Sequence, residues 1–320
     1  NINKSREDTV QLDGNVDFNY DGQTSGTGVN ATVDIKLNGE NSYWKGNTFI
    51  SWNGTPSDPS KLTVSEMDLS INNGATWTPT AITDTDSSKY TALNNVSMDG
   101  GNIDVEQGVS ITLERVSGNG NIDNNGNIIL NSADLTVNTL TTSDGSNLSL
   151  TEAGSSLTVA NTSLEGLATN SLSNAAGSEI IFSNLDASTS LDAIKSLFST
   201  DNQGNINVGN LEFTEINDKI VDGNISYEDW QAVGNVTSNE LKAATVTDVP
   251  LDGTHITGSA VSSIILKDTE DKETYPILEN VILTGLGSGD NFVTNSDGSL
   301  GGAYNYGTIV LGDKELTGTK

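Results

Sequence analysis

The sequence has no cysteine, a single histidine, two arginines and no long apolar run, and each absence narrows the possible functions. Without cysteine the chain forms no disulfide, binds no metal through thiolates and has no thiol nucleophile. Its two arginines, Arg6 and Arg115, are few for bidentate recognition of phosphate or carboxylate substrates. One histidine, His255, cannot form a multi-histidine metal site. No window of about 18 apolar residues is present, so this segment is not expected to insert into a membrane.

Negative charge dominates the chain. The 43 acidic and 14 basic residues give a formal net charge of -29 at pH 7. A field of this sign repels nucleic acid, anionic lipid and sulfated glycans at long range. We therefore expect no nucleic-acid partner.

Short alternating apolar pairs recur from residue 96 onwards, although hydrophobic residues make up only 34% of the chain. Residues i and i+2 of a strand face the same side, so each pair predicts a short strand with one buried face. Turn-forming segments such as "SGNGN", "TSDGSN" and "EAGSS" separate them. The pairs are Val96/Met98, Ile103/Val105, Ile111/Leu113, Ile128/Leu130, Leu135/Val137, Leu148/Leu150 and Leu157/Val159.

The spacing of these pairs predicts a solenoid. Ile103 is followed by Ile128, and Leu113 by Leu135 and then Leu157, so the pattern returns after roughly 22–25 residues, a period typical of repeat architectures. The fold class we predict is all-β: a right-handed parallel β-helix, a three-sided solenoid, with an inserted small α-containing subdomain. An antiparallel β-sandwich is the alternative, but it would have strands of more regular length and two-residue loops.

The inserted subdomain is expected at 186–250, between β-helix rungs at 1–185 and 251–320. "STSLDAIKSLFST" (188–200) has apolar residues at helical spacing, and Thr189 or Ser190 can cap its start. "SYEDWQAV" (226–233) and "SNELKAAT" (238–245) each begin with serine followed by acidic residues, as helices do.

Catalytic signatures are lacking. The motifs of polygalacturonases and of serine-protease passengers do not occur, and a pectate-lyase site needs a cationic base beside carboxylates, which two arginines support poorly. Paired carboxylates at a hydrolytic spacing stay open among 43 acidic residues. We therefore predict no enzyme, no catalytic residue and no cofactor.

Two segments resemble calcium-binding loops in part. "DNQGNINVGNLE" (201–212) has oxygen-bearing side chains at the positions an EF-hand uses, but Ile206 stands where the loop requires glycine. "DGNISYED" (222–229) resembles the second half of such a loop, with Ile220 where an oxygen ligand is needed. We interpret both as Asn/Asp-rich turns and predict no metal site.

"DLSINNGATWTPT" (68–80), followed by "LNNVSMDGGNIDV" (93–105) and "VSGNGNI" (116–122), resembles the pertactin/AIDA-type β-helix passenger of bacterial autotransporter adhesins. The shared order is a strand, an Asn-Gly-Ala turn and Trp77, then a strand ending in Gly-Gly, then a Ser-Gly-x-Gly corner. "VDIKLNGENSYWKG" (33–46) is a second copy with Trp44. The resemblance covers 29–160.

The resemblance implies a non-enzymatic adhesin fragment at the bacterial cell surface, held to the outer membrane by a translocator outside this chain. Attachment, cell–cell aggregation or biofilm formation would follow from many weak contacts along a rigid rod. Expected partners are a host or bacterial surface protein or glycan, or a second copy of the chain. The alternatives are a glycan-active β-helix enzyme, lyase or hydrolase, and a spacer stalk.

Aromatic residues supply the candidate partner-binding positions. Adjacent strand residues point to opposite faces, so one of Tyr43 and Trp44 faces outward. Trp52 follows them within a segment leading into a Pro/Gly-rich loop. Tyr227 and Trp230 are three apart on a predicted helix and therefore share a side. An exposed aromatic ring can stack on a sugar or contact a protein.

Overall fold

The structure is a computed structural model that describes residues 9–21, 32–53, 66–81, 90–91, 95–249, 261–266, 281–284, 293–294, 300–301, 308–311 and 314–317. The three helices of this part are α1 (Leu191–Ser196), α2 (Thr214–Asn217) and α3 (Tyr227–Trp230). Its strands are β1 (Gln11–Asp13), β2 (Val16–Asp21), β3 (Thr32–Asn38), β4 (Tyr43–Lys45), β5 (Thr48–Asn53), β6 (Glu66–Asn72), β7 (Thr76–Thr78), β8 (Tyr90–Thr91), β9 (Asn95–Val105), β10 (Ser110–Asn124), β11 (Asn127–Thr142), β12 (Asn147–Leu150), β13 (Ser156–Val159), β14 (Leu172–Asn174), β15 (Glu179–Phe182), β16 (Asn205–Asn207), β17 (Asn224–Ser226), β18 (Val236–Thr237), β19 (Ala244–Val249), β20 (Val261–Leu266), β21 (Val281–Thr284), β22 (Val293–Thr294), β23 (Leu300–Gly301), β24 (Thr308–Leu311) and β25 (Lys314–Thr317).

The described residues form mostly β-strands, with a long parallel sheet and very few, short helices. This agrees with the prediction of a fold rich in parallel β-strands. It divides into two compact units, Asn1–Asp186 with Asp192–Gly204, and Ala187–Leu191 with Asn205–Lys320. None of the helices in the described residues is long and apolar enough to cross a membrane.

Parallel pairing organises the first unit. Its strands pair in the order β1-β4-β7-β9-β10-β11-β13-β15, and β3 and β6 join through β9 while β12 and β14 join through β11. Long strands change partner along their length: the start of β9 pairs with β6, and Asn102 and Ile103 pair with β7. Register shifts also occur within a single pairing, for example between Asn119 and Gly120 of β10, which pairs with β9 on both sides of the shift. A shift of this kind bends the strand and redirects its side chains.

Apolar side chains of paired strands align in inner columns. All seven alternating pairs predicted from the sequence are buried. Leu135 pairs with Leu157 as the sequence spacing predicts, but Ile103 pairs with Ile122 and Leu113 with Leu130, both earlier in the chain than expected. The repeat is therefore less regular than the sequence spacing indicates. One such column is Ile111, Ile128, Leu148 and Leu172.

Corners of one recurrent type connect many of these strands. The N–H of the fourth residue donates to the carbonyl of the first at 3.0–3.3 Å. The third residue is glycine with φ between 79° and 82°, a backbone that other residues rarely adopt. The fourth residue is small or β-branched and buried, and a strand follows it. These corners are Asn72–Ala75, Glu106–Val109, Ser143–Ser146, Glu152–Ser155 and Ala175–Ser178.

Two helix predictions within 186–250 are confirmed. α1 lies within 188–200 and buries Leu191 and Ile194, whereas Leu197 and Phe198, which are also buried, follow the end of the helix. α3 begins after Ser226, whose hydroxyl accepts a hydrogen bond from the N–H of Asp229 at 3.1 Å. This is the N-cap expected of a Ser-x-x-acidic start.

The third predicted helix, at 238–245, is wrong. Ser238 is buried and its hydroxyl donates to the carbonyls of Gly209 and Leu211, so it closes a turn instead of starting a helix. From Ala244 the chain is strand β19, with Ala244, Val246 and Val249 buried. Parallel pairing with β17, which joins Ile225 to Val246, prevails over the local serine-acidic start signal.

In the second unit β16 pairs with β18, and β19 pairs with both β17 and β20, all in parallel. Beyond these strands the pairing changes: β20-β21-β24-β25 is antiparallel throughout. This differs from the parallel pairing expected of β-helix rungs at 251–320. His255 lies outside the described residues.

Candidate binding surface

One column of inward-facing residues on paired strands, here called the Trp column, includes Trp44, the neighbour of Tyr43. The residues next to this column in the chain face outward. In register, Trp44 and Trp77 are 0% exposed, with ring centroids 5.8 Å apart and planes 19° from parallel. Indoles stacked in this way add about 0.5–1.5 kcal/mol beyond the area they bury. The members of the Trp column are Leu12, Trp44, Trp77, Ile103, Ile122 and Leu140.

Hydrogen bonds hold both indoles in place. Trp44 Nε1 donates to the carbonyl of Gly14 at 2.9 Å, and Trp77 Nε1 donates to that of Gly46 at 3.0 Å. A Cβ on Gly46 would meet the Gly14 oxygen and Trp44 Nε1, so only glycine fits there. With Trp44 fixed inward, the adjacent Tyr43 faces outward, at 38% exposed.

The residues on either side of the Trp column form an outer surface, which we call the Tyr43 face. The preceding residues are uncharged and form the polar row: Gln11, Tyr43, Thr76, Asn102, Asn121 and Thr139. The following residues form the acidic row: Asp13, Lys45, Thr78, Asp104, Asp123 and Thr141.

Side-chain hydrogen bonds run between neighbouring strands on this face. Asn121 Nδ2 donates to Asn102 Oδ1 at 2.8 Å, and Thr141 Oγ1 donates to Asp123 Oδ1 at 2.6 Å. Asn102 Nδ2 donates to the carbonyl of Gly74 at 2.9 Å. These contacts hold the polar side chains in one orientation.

Like charges lie side by side in the acidic row. Asp104 and Asp123 are register partners on β9 and β10. Burial raises the pKa of the Asp104 carboxyl, and the nearby carboxylates of Asp123 and Glu106 raise it further. Lys45 binds Glu106 at 2.9 Å, and this hydrogen bond raises the pKa of the Lys45 ammonium. Carboxylates stacked directly opposite destabilise a sheet, so this row favours cations nearby.

A second outer surface of the first unit consists of uncharged residues on paired strand segments, with the exposed Glu114 as the next outward residue of β10. On paired segments of β10, β11, β12 and β14 the outward residues are serine, threonine, asparagine and isoleucine. Asn127 Nδ2 donates to Ser110 Oγ at 3.0 Å. We call this surface the neutral face: Ser110, Thr112, Asn127, Ile129, Asn147, Ser149 and Ser173.

The predicted partner-binding aromatics differ in their exposure to solvent. Tyr43 is exposed, whereas Trp44 and Trp230 are buried, Trp230 at 4% exposed, so neither of these two side chains is available to a partner. Tyr227 is half-buried and its hydroxyl accepts a hydrogen bond from Gln231 Nε2 at 3.0 Å. Trp52 lies on β5, opposite Tyr20, and its side chain is outside the described residues.

A lysine that precedes the segment resembling half of a calcium loop forms an ion pair with the last residue of that segment. Lys219 Nζ lies 2.6 Å from Asp229 Oδ1, and Ser226 Oγ donates to Asp229 Oδ2 at 2.9 Å. These two hydrogen bonds, that of Lys219 foremost, lower the pKa of the Asp229 carboxyl. Across the part of the chain that the structure describes, no group of three or more His, Cys, Asp or Glu could hold a metal ion.

The pairing of Asp104 with Asp123 was not foreseen from the sequence, although a signal exists. "GNID" occurs twice, at 101–104 and 120–123, and the structure aligns the two copies residue by residue. The two copies lie closer together in the chain than the spacing of the apolar pairs predicts, so that spacing did not reveal the pairing.

Comparison with known proteins adds no relative: no family model, curated protein or solved structure matches the chain.

Proposed function

We propose that the chain is part of the passenger of a Gram-negative autotransporter, displayed outside the cell, where it acts as a non-enzymatic adhesin in attachment, aggregation or biofilm formation. Its resemblance to pertactin/AIDA-type passengers over 29–160 motivates this proposal. A translocator outside this chain would hold it to the outer membrane.

The finer fold that goes with this proposal is a right-handed, three-sided parallel β-helix. Its support is the pairing of β10, which has three stretches: Ser110–Leu113 pairs with β11 alone, Arg115–Gly120 pairs with β9 and β11, and Asn121–Asn124 continues after a register shift. Three successive stretches in one strand, separated by changes of partner or register, are what one circuit of a three-sided coil would require. Parallel crossovers are almost always right-handed.

The observation that carries the adhesive function is the outer surface of the first unit. Its paired strands expose rows of amides, hydroxyls and carboxylates at the strand spacing of about 4.8 Å. Such rows offer many equivalent weak contacts, and multivalency converts these into firm attachment. The neutral face suits self-association best, because two chains of charge -29 meet there without opposing charged side chains.

The test is aggregation of beads coated with the chain, together with sedimentation of the free chain. Thr112→Glu with Ser149→Glu puts two charges on the neutral face and should abolish aggregation. A matched control, Ser97→Glu with Ser156→Glu, adds the same charge on another outer face and should leave aggregation within about twofold. Equal aggregation by all three chains would exclude the neutral face. No adhesion by the unchanged chain to copies, bacteria or host cells would favour a spacer stalk.

A glycan-active enzyme is the second candidate, and the Asp104–Asp123 pair favours it. Register partners on adjacent strands bring two carboxyls to a separation on the order of 5 Å, as in retaining glycosidases. The raised pKa of Asp104 suits a general acid. Release of reducing ends from a polysaccharide panel, lost in Asp104→Asn, would establish this activity; no turnover on any member would favour the adhesin.

A further inference from the structure

We propose that the Tyr43 face binds a cationic glycan, a polymer of amino sugars with free ammonium groups, lying across the strands along the polar row. This inference rests on the proposed adhesive function and assigns a partner to one outer surface of the first unit.

Tyr43 provides a rigid platform. Its orientation follows from Trp44, which is buried and bonded to the carbonyl of Gly14 at 2.9 Å. Among the residues whose side chains the structure describes, the large hydrophobic ones that stand exposed are Tyr43 and Val221. An exposed tyrosine ring can cover one face of a sugar, and its quadrupole attracts an ammonium group held above it.

The polar row extends this platform. From Gln11 to Thr139 it contains only amides and hydroxyls besides Tyr43. Sugar hydroxyls need such donors and acceptors. A hydrogen bond of 2.8 Å already joins Asn121 to Asn102, so ordering these side chains on ligand binding costs little conformational entropy.

Charge complementarity selects the occupant. The acidic row runs alongside the polar row, with Asp13 on the strand next to Tyr43 and with Asp104 and Asp123 two and three strands away on the other side. Glu106 follows Asp104 by two positions. Lys45 is the basic residue in this row and already binds Glu106. A cation therefore gains from the face, whereas a sulfated or carboxylated glycan is repelled by it and by the net charge of -29.

A polar face with one exposed ring fits a glycan better than a basic protein. Protein interfaces have a desolvated apolar core with several aromatic or aliphatic anchors. Apart from Tyr43 the polar row offers no such anchor.

The experiment measures binding of the fully de-N-acetylated glucosamine hexamer, its N-acetylated counterpart and hexalysine by isothermal calorimetry at two salt concentrations. The glucosamine hexamer should bind and weaken with salt, and the N-acetylated hexamer should bind at least about tenfold more weakly. Tyr43→Ala should weaken the glucosamine hexamer by about fivefold. Asp104→Asn with Asp123→Asn should weaken it further and reduce its salt dependence.

The matched control is Asp134→Asn with Glu179→Gln, which removes two charges from another outer face and should change affinity by less than about twofold. Hexalysine binding as tight as the glucosamine hexamer, or indifference to Tyr43→Ala, would overturn the inference in favour of a general attraction for cations or basic peptides. Absence of hexamer binding would overturn it too. If coated beads still aggregate in that case, only the Tyr43 face inference fails and the adhesive function stands.

Discussion

Two regions of the first unit both bury columns of apolar side chains, but the chain lengths between paired residues differ greatly. In the earlier region, β3 to β7, Ile35 pairs with Leu69 across a long intervening segment, and we call it the long-loop region. In the later region, β9 to β15, Leu113 pairs with Leu130 after half as much chain, and we call it the short-loop region. All four side chains are buried. Register is therefore set by the fit of apolar side chains in the columns, and the loops between strands take whatever length remains. Loop entropy permits this, because doubling a loop costs only about 0.6 kcal/mol.

The regions also differ in what fills the Trp column. Indoles occupy it at Trp44 and Trp77, whereas branched aliphatic side chains occupy it at Ile103 and Ile122. Close packing requires each position to be filled, so the long-loop region depends on a few large side chains and the short-loop region on many small ones.

Removing an indole should have the largest effect. We expect Trp77→Ala to lower the free energy of unfolding by about 3–5 kcal/mol, since it leaves a cavity against Trp44 and an unpaired carbonyl on Gly46. Urea denaturation followed by circular dichroism measures this. Tyr43→Ala on the exposed side is the control and should stay within about 0.5 kcal/mol. Equal losses from both would mean that the stack does not hold the long-loop region.

In the short-loop region we expect stability to be sensitive to substitution of Gly118 by alanine. This residue has φ +101°, and a Cβ would meet the carbonyl oxygen of Met98 on the neighbouring strand. Gly118→Ala combines both costs and should destabilise by about 2–4 kcal/mol. Gly108→Ala, with φ +79° and open space, isolates the backbone cost of about 1–2 kcal/mol. A control as damaging as the variant would show that packing against Met98 contributes nothing.

The two regions also differ in the last residue of their corners, and Ser155→Ala tests how much this difference contributes to stability. The corner at 72–75 ends in Ala75, whereas that at 152–155 ends in Ser155, whose hydroxyl donates to the carbonyl of Asn131 and accepts from the N–H of Ala133. We expect a loss of about 1 kcal/mol in thermal or urea unfolding. Ser156→Ala, on the following half-buried residue, should be near neutral, and a reversed order would contradict the role of the buried hydroxyl.

The smallest effect should come from Asp104. Its pKa is raised in the folded chain, so ionised Asp104 opposes folding above that pKa, and stability recovers as pH falls through it. Asp104→Asn should therefore unfold at slightly higher urea than the unchanged chain at neutral pH, and the gap should close towards acid.

Asp229 is the matched control with the opposite sign. Its pKa is lowered in the folded chain, so it stabilises at neutral pH and this contribution is lost as pH falls through the folded pKa. Asp229→Asn should lower the midpoint at neutral pH and converge with the unchanged chain in acid. If both variants raised the midpoint, the pKa direction for Asp229 would be contradicted, and if both lowered it, the direction for Asp104 would be.

Local sequence was sufficient to predict individual strands, a corner between them and the start of a helix. Alternation at Leu148/Leu150 and Leu157/Val159 predicted strands with one buried face, and "EAGSS" predicted the corner between Leu150 and Leu157. Ser226 likewise predicted the start of α3. Each of these depends on residues a few positions apart, where backbone preference and side-chain period act directly.

What only the tertiary structure decided is which distant residues become neighbours. The register that brings Asp104 against Asp123, the choice of Trp44 over Tyr43 for the interior, the burial of Trp230 and the strand at Ala244 all depend on partners far away in the chain. Alternation determines that one of two adjacent residues faces inward, but only the carbonyl of Gly14 and the ring of Trp77 determine that it is Trp44. Packing across strands selects among registers that local preferences leave equal.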